Sequence, residues 1–252
     1  MTTTPKRTLS PWAPDLRGPK IMQQVWDQLT FVHWAVDPER VAPLLPKGVR
    51  PDVLGGATYV GLIPFAMRRA GFGRGPAVPW LGDFIETNVR LYSVDDQGRH
   101  GVVFRSLETD RLIVALGARL AFATPYTWAK MSLEQDGDMF SYRTSRRWPT
   151  PRGAGGRLVV RRGEPIAEPS DLEVFLTARF GLHTQHLGRT WWVPNTHVPW
   201  DLNRGELLEL DDDLVAAAGL PGIVGREAPA SVMVADPVHT SFGLPRLVRS
   251  RG

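Results

Sequence analysis

The sequence contains no cysteine. Disulfides, thiolate nucleophiles and cysteine-ligated iron–sulfur or zinc centres are therefore excluded. It also lacks any uninterrupted apolar run of about 18 residues, so nothing in it reads as a membrane-spanning helix. MTTTPKRTLSPW has no apolar stretch after its basic residues and does not read as a secretory signal. A cytoplasmic protein without a membrane partner is the expectation. Folded-body basicity is missing too. Of the net charge of +4, three units fall in residues 1–20 and three in residues 246–252, leaving −2 for the body between them. A nucleic-acid surface needs cations clustered on a folded face, so no nucleic-acid partner is expected. Several motifs are also absent: H-E-x-x-H, G-x-S-x-G and a phosphate loop ending in GK[ST].

What the chain does have is 252 residues, enough for a substantial core, with 25 glycines and 22 prolines scattered through it. Frequent turn residues favour many short elements over a few long helices. VWDQLTFVHWAV (25–36), TYVGLIPFAM (58–67), FIETNVRLYSV (84–94), GVVFRSLE (101–108), RLVVRRG (157–163) and SVMVADPVH (231–239) read as strands. AKMSLEQDGDMFSYRTSRR reads as a hairpin turning at Asp136-Gly137-Asp138, and short strands are expected around 182–200. Short helices are expected after Asp37-Pro38-Glu39, over 111–122, from a capping box at Ser170 and Glu173, and over 211–221. RRAGFGRGPAVPWLGD (68–83) reads as a long loop rich in Gly and Pro, of the kind that is often functional or mobile. Strands arriving as hairpins imply an antiparallel, β-dominated α+β fold. The expected organisation is a flexible arm at 1–20, one domain at 21–245 and a basic tail at 246–252.

The strand FIETNVRLY carries the strongest chemical signal. Alternation places Glu86, Asn88, Arg90 and Tyr92 on one face and Ile85, Val89 and Leu91 on the other, with Thr87. A carboxylate, an amide and a guanidinium in one row can move a proton, polarise a carbonyl or hold a carboxylate. A plain solvent-facing strand shows the same pattern. His183 and His186 in HTQH, with His197, have no recognised metal-ligand spacing on a strand, so no metal is expected. His33 has the setting of a core histidine, and the tryptophans at 191, 192 and 200 could line a pocket or sit in a core.

FVHWAVDPERVAPLLPKGVRPD (31–52), GDFIETNVRLY (82–92), ARLAFATPYTWAKMSL (118–133) and HVPWDL (197–202) resemble a bacterial YqjF-like family of no assigned function, a distant relative of acetoacetate decarboxylase. The resemblance runs from about residue 25 to about residue 245. It implies antiparallel sheets forming a barrel around an internal cavity, with a few short helices, and a homo-oligomer as a possible assembly. The decarboxylase site implies a Schiff-base lysine directly after a proline, a glutamate and arginines. Glu86 matches the glutamate, and Arg119 matches an arginine ahead of the lysine motif. The early substrate-binding arginine falls on Asp27, where the match fails. Pro125 matches the proline, but Tyr126 and Thr127 follow it, so the lysine pair is gone. Lys130 lies about 13 Å further along an extended strand, at ~3.3 Å per residue.

The expected function is acid/base chemistry on a carbonyl-bearing organic compound by a lyase- or isomerase-type enzyme without a cofactor or Schiff-base lysine. Glu86, Arg90, Tyr126 and Arg119 are the candidate catalytic residues. Asn88, His33, Trp34, Trp128, His197 and Trp200 are candidate substrate contacts. The alternative is a cavity that binds a hydrophobic or aromatic metabolite without chemistry.

Overall fold

The computed structural model describes residues 9–73, 75–79, 81–116 and 124–249. In chain order the elements are β1 (Met22–Asp27), β2 (Leu29–Val36), α1 (Pro38–Val41), β3 (Val49–Pro51), β4 (Thr58–Phe72), β5 (Phe84–Asp95) and β6 (His100–Thr109). A helix over 112–116, α2, precedes β7 (Tyr126–Asp136), β8 (Met139–Trp148), β9 (Gly155–Pro165) and α3 (Asp171–Thr177). Then come β10 (Gly181–His186), β11 (Arg189–Thr196), β12 (Leu202–Asp212), α4 (Leu214–Ala217), β13 (Ser231–Ala235), β14 (Val238–Phe242) and β15 (Arg246–Leu247).

The pairings close two hydrogen-bonded circuits. One runs β1-β14-β11-β10-β6-β5-β4 and back to β1. The other runs β6-β7-β8-β9-β12-β13-β2-β4-β5 and back to β6. They share β4, β5 and β6. Closure removes the exposed edges that an open sheet would carry. Most pairs are antiparallel; β6 runs parallel to both β10 and β7. The β-dominated, barrel-like α+β architecture expected from the sequence is the one observed.

Strand alternation explains how one shared wall serves two interiors. Val32, Trp34, Val60, Leu62, Val89 and Leu91 face one core, within the circuit that includes β8 and β9. Phe31, Ile63, Phe65, Met67, Phe84 and Tyr92 face the other, within the circuit that includes β1 and β14. Glu86, Asn88 and Arg90 have the same parity as Phe84 and Tyr92, so they project into the second interior.

Three local expectations are corrected. The stretch 25–36 is two strands, because Gln28 adopts a left-handed conformation (φ 48°) and the chain passes from the β1 pairing with the far half of β4 to the β2 pairing with its near half. β4 continues to Phe72, so the expected loop at 68–83 is shorter; its first residues pair with β1 instead. Residues 231–239 contain parts of two strands, β13 and β14. The remainder of the helix expected over 111–122 lies outside the described residues.

The β10–β6 junction is a single registered pair, Leu182 opposite Val102. Trp192 covers it: an added Cβ on Gly181 would meet the indole at 2.3 Å, and one on Gly101 would meet it at 2.5 Å. Both glycines are there to let the ring lie against backbone. Gly181→Ala is therefore expected to lower stability by about 1–3 kcal/mol, read as a lower urea midpoint. An unchanged midpoint would show that Trp192 can shift without loss.

Candidate functional site

The second interior encloses a cavity of about 530 Å³, within the usual size range of small-molecule sites. Its walls are mainly apolar and aromatic, and Glu86, Asn88, Arg90 and Tyr126 face into it. Phe72 and Ile113 line it while being 65% and 59% exposed, which places the opening between the end of β4 and α2.

Glu86 is buried at 3% exposure on β5. The Tyr126 hydroxyl, at the start of β7, donates to its Oε2 at 2.8 Å. Burial pushes the Glu86 carboxyl up to about 7, against the opposing hydrogen bonds from Tyr126 and Asn88. Burial and the adjacent Glu86 hold the Tyr126 phenol well above its ordinary value, so it stays protonated. Asn88 is buried, and its Oδ1 has no hydrogen-bond partner. A carboxyl near 7 alone does not define a site: Asp212 is also pushed up to about 7, mainly by burial, yet it sits at the start of α4 and does not line the cavity.

Further in, Arg90 is fixed on one side only. Its Nε and Nη2 donate to the Tyr92 hydroxyl at 3.1 and 2.9 Å, and Nη2 donates to the Leu176 carbonyl at 2.9 Å. The guanidinium lies 5.2 Å from the Phe31 ring centroid. Among the described residues no carboxylate pairs with it. The nearby acid Asp52 is bound by Arg179 and by His100, the latter at 2.7 Å. His33 meets the Tyr92 hydroxyl at 2.6 Å. Burial, reinforced by the positive charges of Arg90 and Arg179, pushes His33 well below its ordinary pKa, so it is neutral.

The structure brings together Glu86, Asn88, Arg90, Tyr126 and Trp200 on the cavity wall. Arg119 lies outside the described residues. Four expected substrate contacts are displaced. His33 is wholly buried behind Tyr92. Trp34 has the opposite parity, faces the other core and donates to the Glu227 carbonyl at 3.2 Å. Trp128 lies off the cavity with Arg147 over its ring at 4.8 Å. His197 packs behind the wall, 4.9 Å from Trp200 and 5.0 Å from Phe180. His183 contacts Ser93 and Asp95, and Lys130 is exposed on β7. The sequence reading missed Trp26, which stacks on Trp200 at 5.8 Å and 11°. Read as one strand, 25–36 puts Trp26 on the face of Val32 and Trp34; the break at Gln28 hid that it belongs with the other interior.

A β-dominated sheet closed around a largely apolar cavity is the acetoacetate-decarboxylase-like class of fold. Solved structures agree. The chain is similar to the enduracididine biosynthesis enzyme MppR complexed with pyruvate (TM-score 0.62, 16% identity, covering 93% of this chain and 92% of that one). It is also similar to acetoacetate decarboxylase from Legionella pneumophila (TM-score 0.59, 14% identity, 98% and 92%) and to an acetoacetate decarboxylase-like enzyme from Sphingomonas wittichii RW1 (TM-score 0.60, 14% identity, 91% and 93%). At these identities the likeness is one of fold. The chain belongs to the DUF2071 family, described as an uncharacterized conserved protein, whose model matches residues 23–239. It is 31% identical over 191 residues to the uncharacterized protein YqjF of Bacillus subtilis (strain 168), covering 74% of this chain and 76% of that one. No helix among the described residues is long and apolar enough to cross a membrane.

The raised Glu86 carboxyl has a stability signature. Its folded pKa lies above its unfolded one, so it does not weaken the fold below about pH 4.5. It weakens the fold increasingly as pH rises towards 7, where the unfolded chain ionises first. A shift from 4.5 to about 7 corresponds to on the order of 3 kcal/mol. Glu86→Gln is therefore expected to gain about that much on the wild type between pH 4.5 and pH 8 in urea unfolding. A pH-independent difference would contradict the raised value.

Proposed function

We propose that this protein is a small-molecule enzyme that moves a proton on a carbonyl-bearing organic compound by acid/base catalysis, without a covalent lysine. The observation that carries the reading is Glu86 held near neutrality in the cavity by burial, beside a protonated Tyr126. A carboxyl poised near pH 7 accepts and returns a proton with comparable ease. In the proposed step, Glu86 removes a proton from the carbon next to the substrate carbonyl. Tyr126 donates to Glu86 Oε2, holding the carboxylate in position before it takes the proton. Glu86 then passes that proton to the carbonyl oxygen; the resulting enol hydroxyl donates to the buried, unpaired Asn88 Oδ1, and Arg90 holds an anionic substituent. Return of the proton at another atom gives isomerisation; loss of a leaving group gives a lyase.

Two features support proton transfer over Schiff-base chemistry. No lysine lines the cavity among the described residues, and Tyr126 stands where the resemblance puts the nucleophile. The neighbour complexed with pyruvate supports a carbonyl substrate for this shape of cavity. Passive storage of a ligand has no use for a carboxyl brought to neutrality.

The test is proton exchange in deuterium oxide, followed by NMR over a panel of aldehydes, ketones and oxo acids. The wild type is expected to exchange the protons next to the carbonyl of at least one member. Glu86→Gln should slow this by about 10²-fold or more, the usual weight of a positioned base, and Tyr126→Phe by roughly tenfold. Undiminished exchange in Glu86→Gln would end the proposal. Tight binding of panel members without exchange would favour a storage role.

A further inference from the structure

We infer that the ligand is an elongated, mainly apolar monocarboxylic acid, its carboxylate on Arg90 and its hydrocarbon body running past Glu86 towards the opening at Phe72 and Ile113. This rests on the proposed reading of the cavity as the working site, but concerns recognition and not chemistry.

Size gives the first argument. At about 30 Å³ per water-sized volume, the 530 Å³ cavity holds a ligand of on the order of fifteen non-hydrogen atoms. A three-carbon acid would fill roughly a third of it and leave apolar wall against water or vacuum.

Charge gives the second. Arg90 is permanently cationic, and its donors towards Tyr92 and Leu176 are Nε and Nη2. Nη1 donates to no protein acceptor among the described residues and is free for a ligand anion. Asp52 is held by Arg179 and His100 instead. A guanidinium in an apolar cavity without an anion is costly, and a ligand carboxylate would complete it. A cationic ligand would meet the same charge unfavourably.

Shape gives the third. Six residues separate Arg90 from Phe84 on β5, about 20 Å of strand, with the Trp26–Trp200 stack and Phe31 contributing flat aromatic wall. After allowance for the reach of the guanidinium, that length accommodates a body of on the order of ten carbons.

The experiment is calorimetric titration of the full chain at pH 7 with acetate, hexanoate, decanoate, decan-1-ol and decyltrimethylammonium. Each buried methylene is worth roughly fourfold in affinity, so decanoate is expected to bind one per chain, at least thirtyfold tighter than hexanoate, with acetate undetected. Decan-1-ol should bind at least tenfold more weakly than decanoate, the usual weight of a charge-assisted contact, and the ammonium should not bind. Arg90→Met should abolish the preference for decanoate over the alcohol. The acid-to-alcohol comparison in the wild type needs no variant and stands even if Arg90→Met fails to fold. Equal affinity for acid and alcohol, hexanoate equal to decanoate, or several decanoates per chain would overturn the inference. The titration reads binding without any proton exchange, so a failure of the acid/base proposal leaves this result readable.

Discussion

The site depends on keeping Glu86 and Arg90 in one dry cavity without letting them neutralise each other. Had they met, the guanidinium would favour the carboxylate and hold Glu86 below its usual range. Instead they sit four residues apart on the same face of β5, about 13 Å along the strand. At that range, in an effective dielectric of about 20, their attraction is only on the order of 1 kcal/mol. Burial then decides the protonation of Glu86, and among the described residues Arg90 has no carboxylate partner. The period of a β-strand is thus the physical source of both properties.

The closed circuits make that separation durable. β5 is paired on both sides over the residues that matter, Glu86 to Arg90 lying between β4 and β6. A strand so held cannot slip register without turning its polar row into the opposite, apolar core. Val89 and Leu91, fully buried on that other face, make such a slip costly. The rear of the cavity is fixed in the same way: Tyr92 takes hydrogen bonds from Arg90 and meets His33, and Arg179 lies over its ring at 4.9 Å. Aromatic surface and a neutral histidine support the arginine from behind without supplying a competing anion.

Much of this was legible in the sequence, and the reason is periodicity. The alternation in FIETNVRLY places Glu86, Asn88 and Arg90 on one face whatever the fold. What it leaves open is whether that face meets water, because a polar row on a half-exposed strand and one lining a cavity are written in the same letters. Only long-range closure, β1 against β14 and β4, covers it. The same limit explains Trp34 and Trp128. An aromatic residue near a candidate site in sequence says nothing of its parity relative to a strand elsewhere. Trp34 differs by one position from His33 and so belongs to the other core. Gln28 shows a further limit: nothing in its residue type announces the left-handed turn that divides β1 from β2. β12, rich in glutamate and leucine without a strong strand signature, pairs with β9 and β13 by tertiary context overriding propensity.

Tyr126 carries the last step. The resemblance to the decarboxylases puts a nucleophilic lysine just after the proline, where Tyr126 follows Pro125. A lysine so close to Glu86 would be an ammonium partner for it, and ammonium and carboxylate would stabilise each other's charged forms. A phenol in the same place offers a hydrogen bond and no charge. The hydrogen bond lowers the Glu86 pKa, but less than burial raises it. Replacing the amine with a phenol therefore removes a nucleophile and also frees the glutamate from its ion-pair role. With a phenol there and no ammonium, burial is left to set the protonation of Glu86, and its carboxyl rises to about 7.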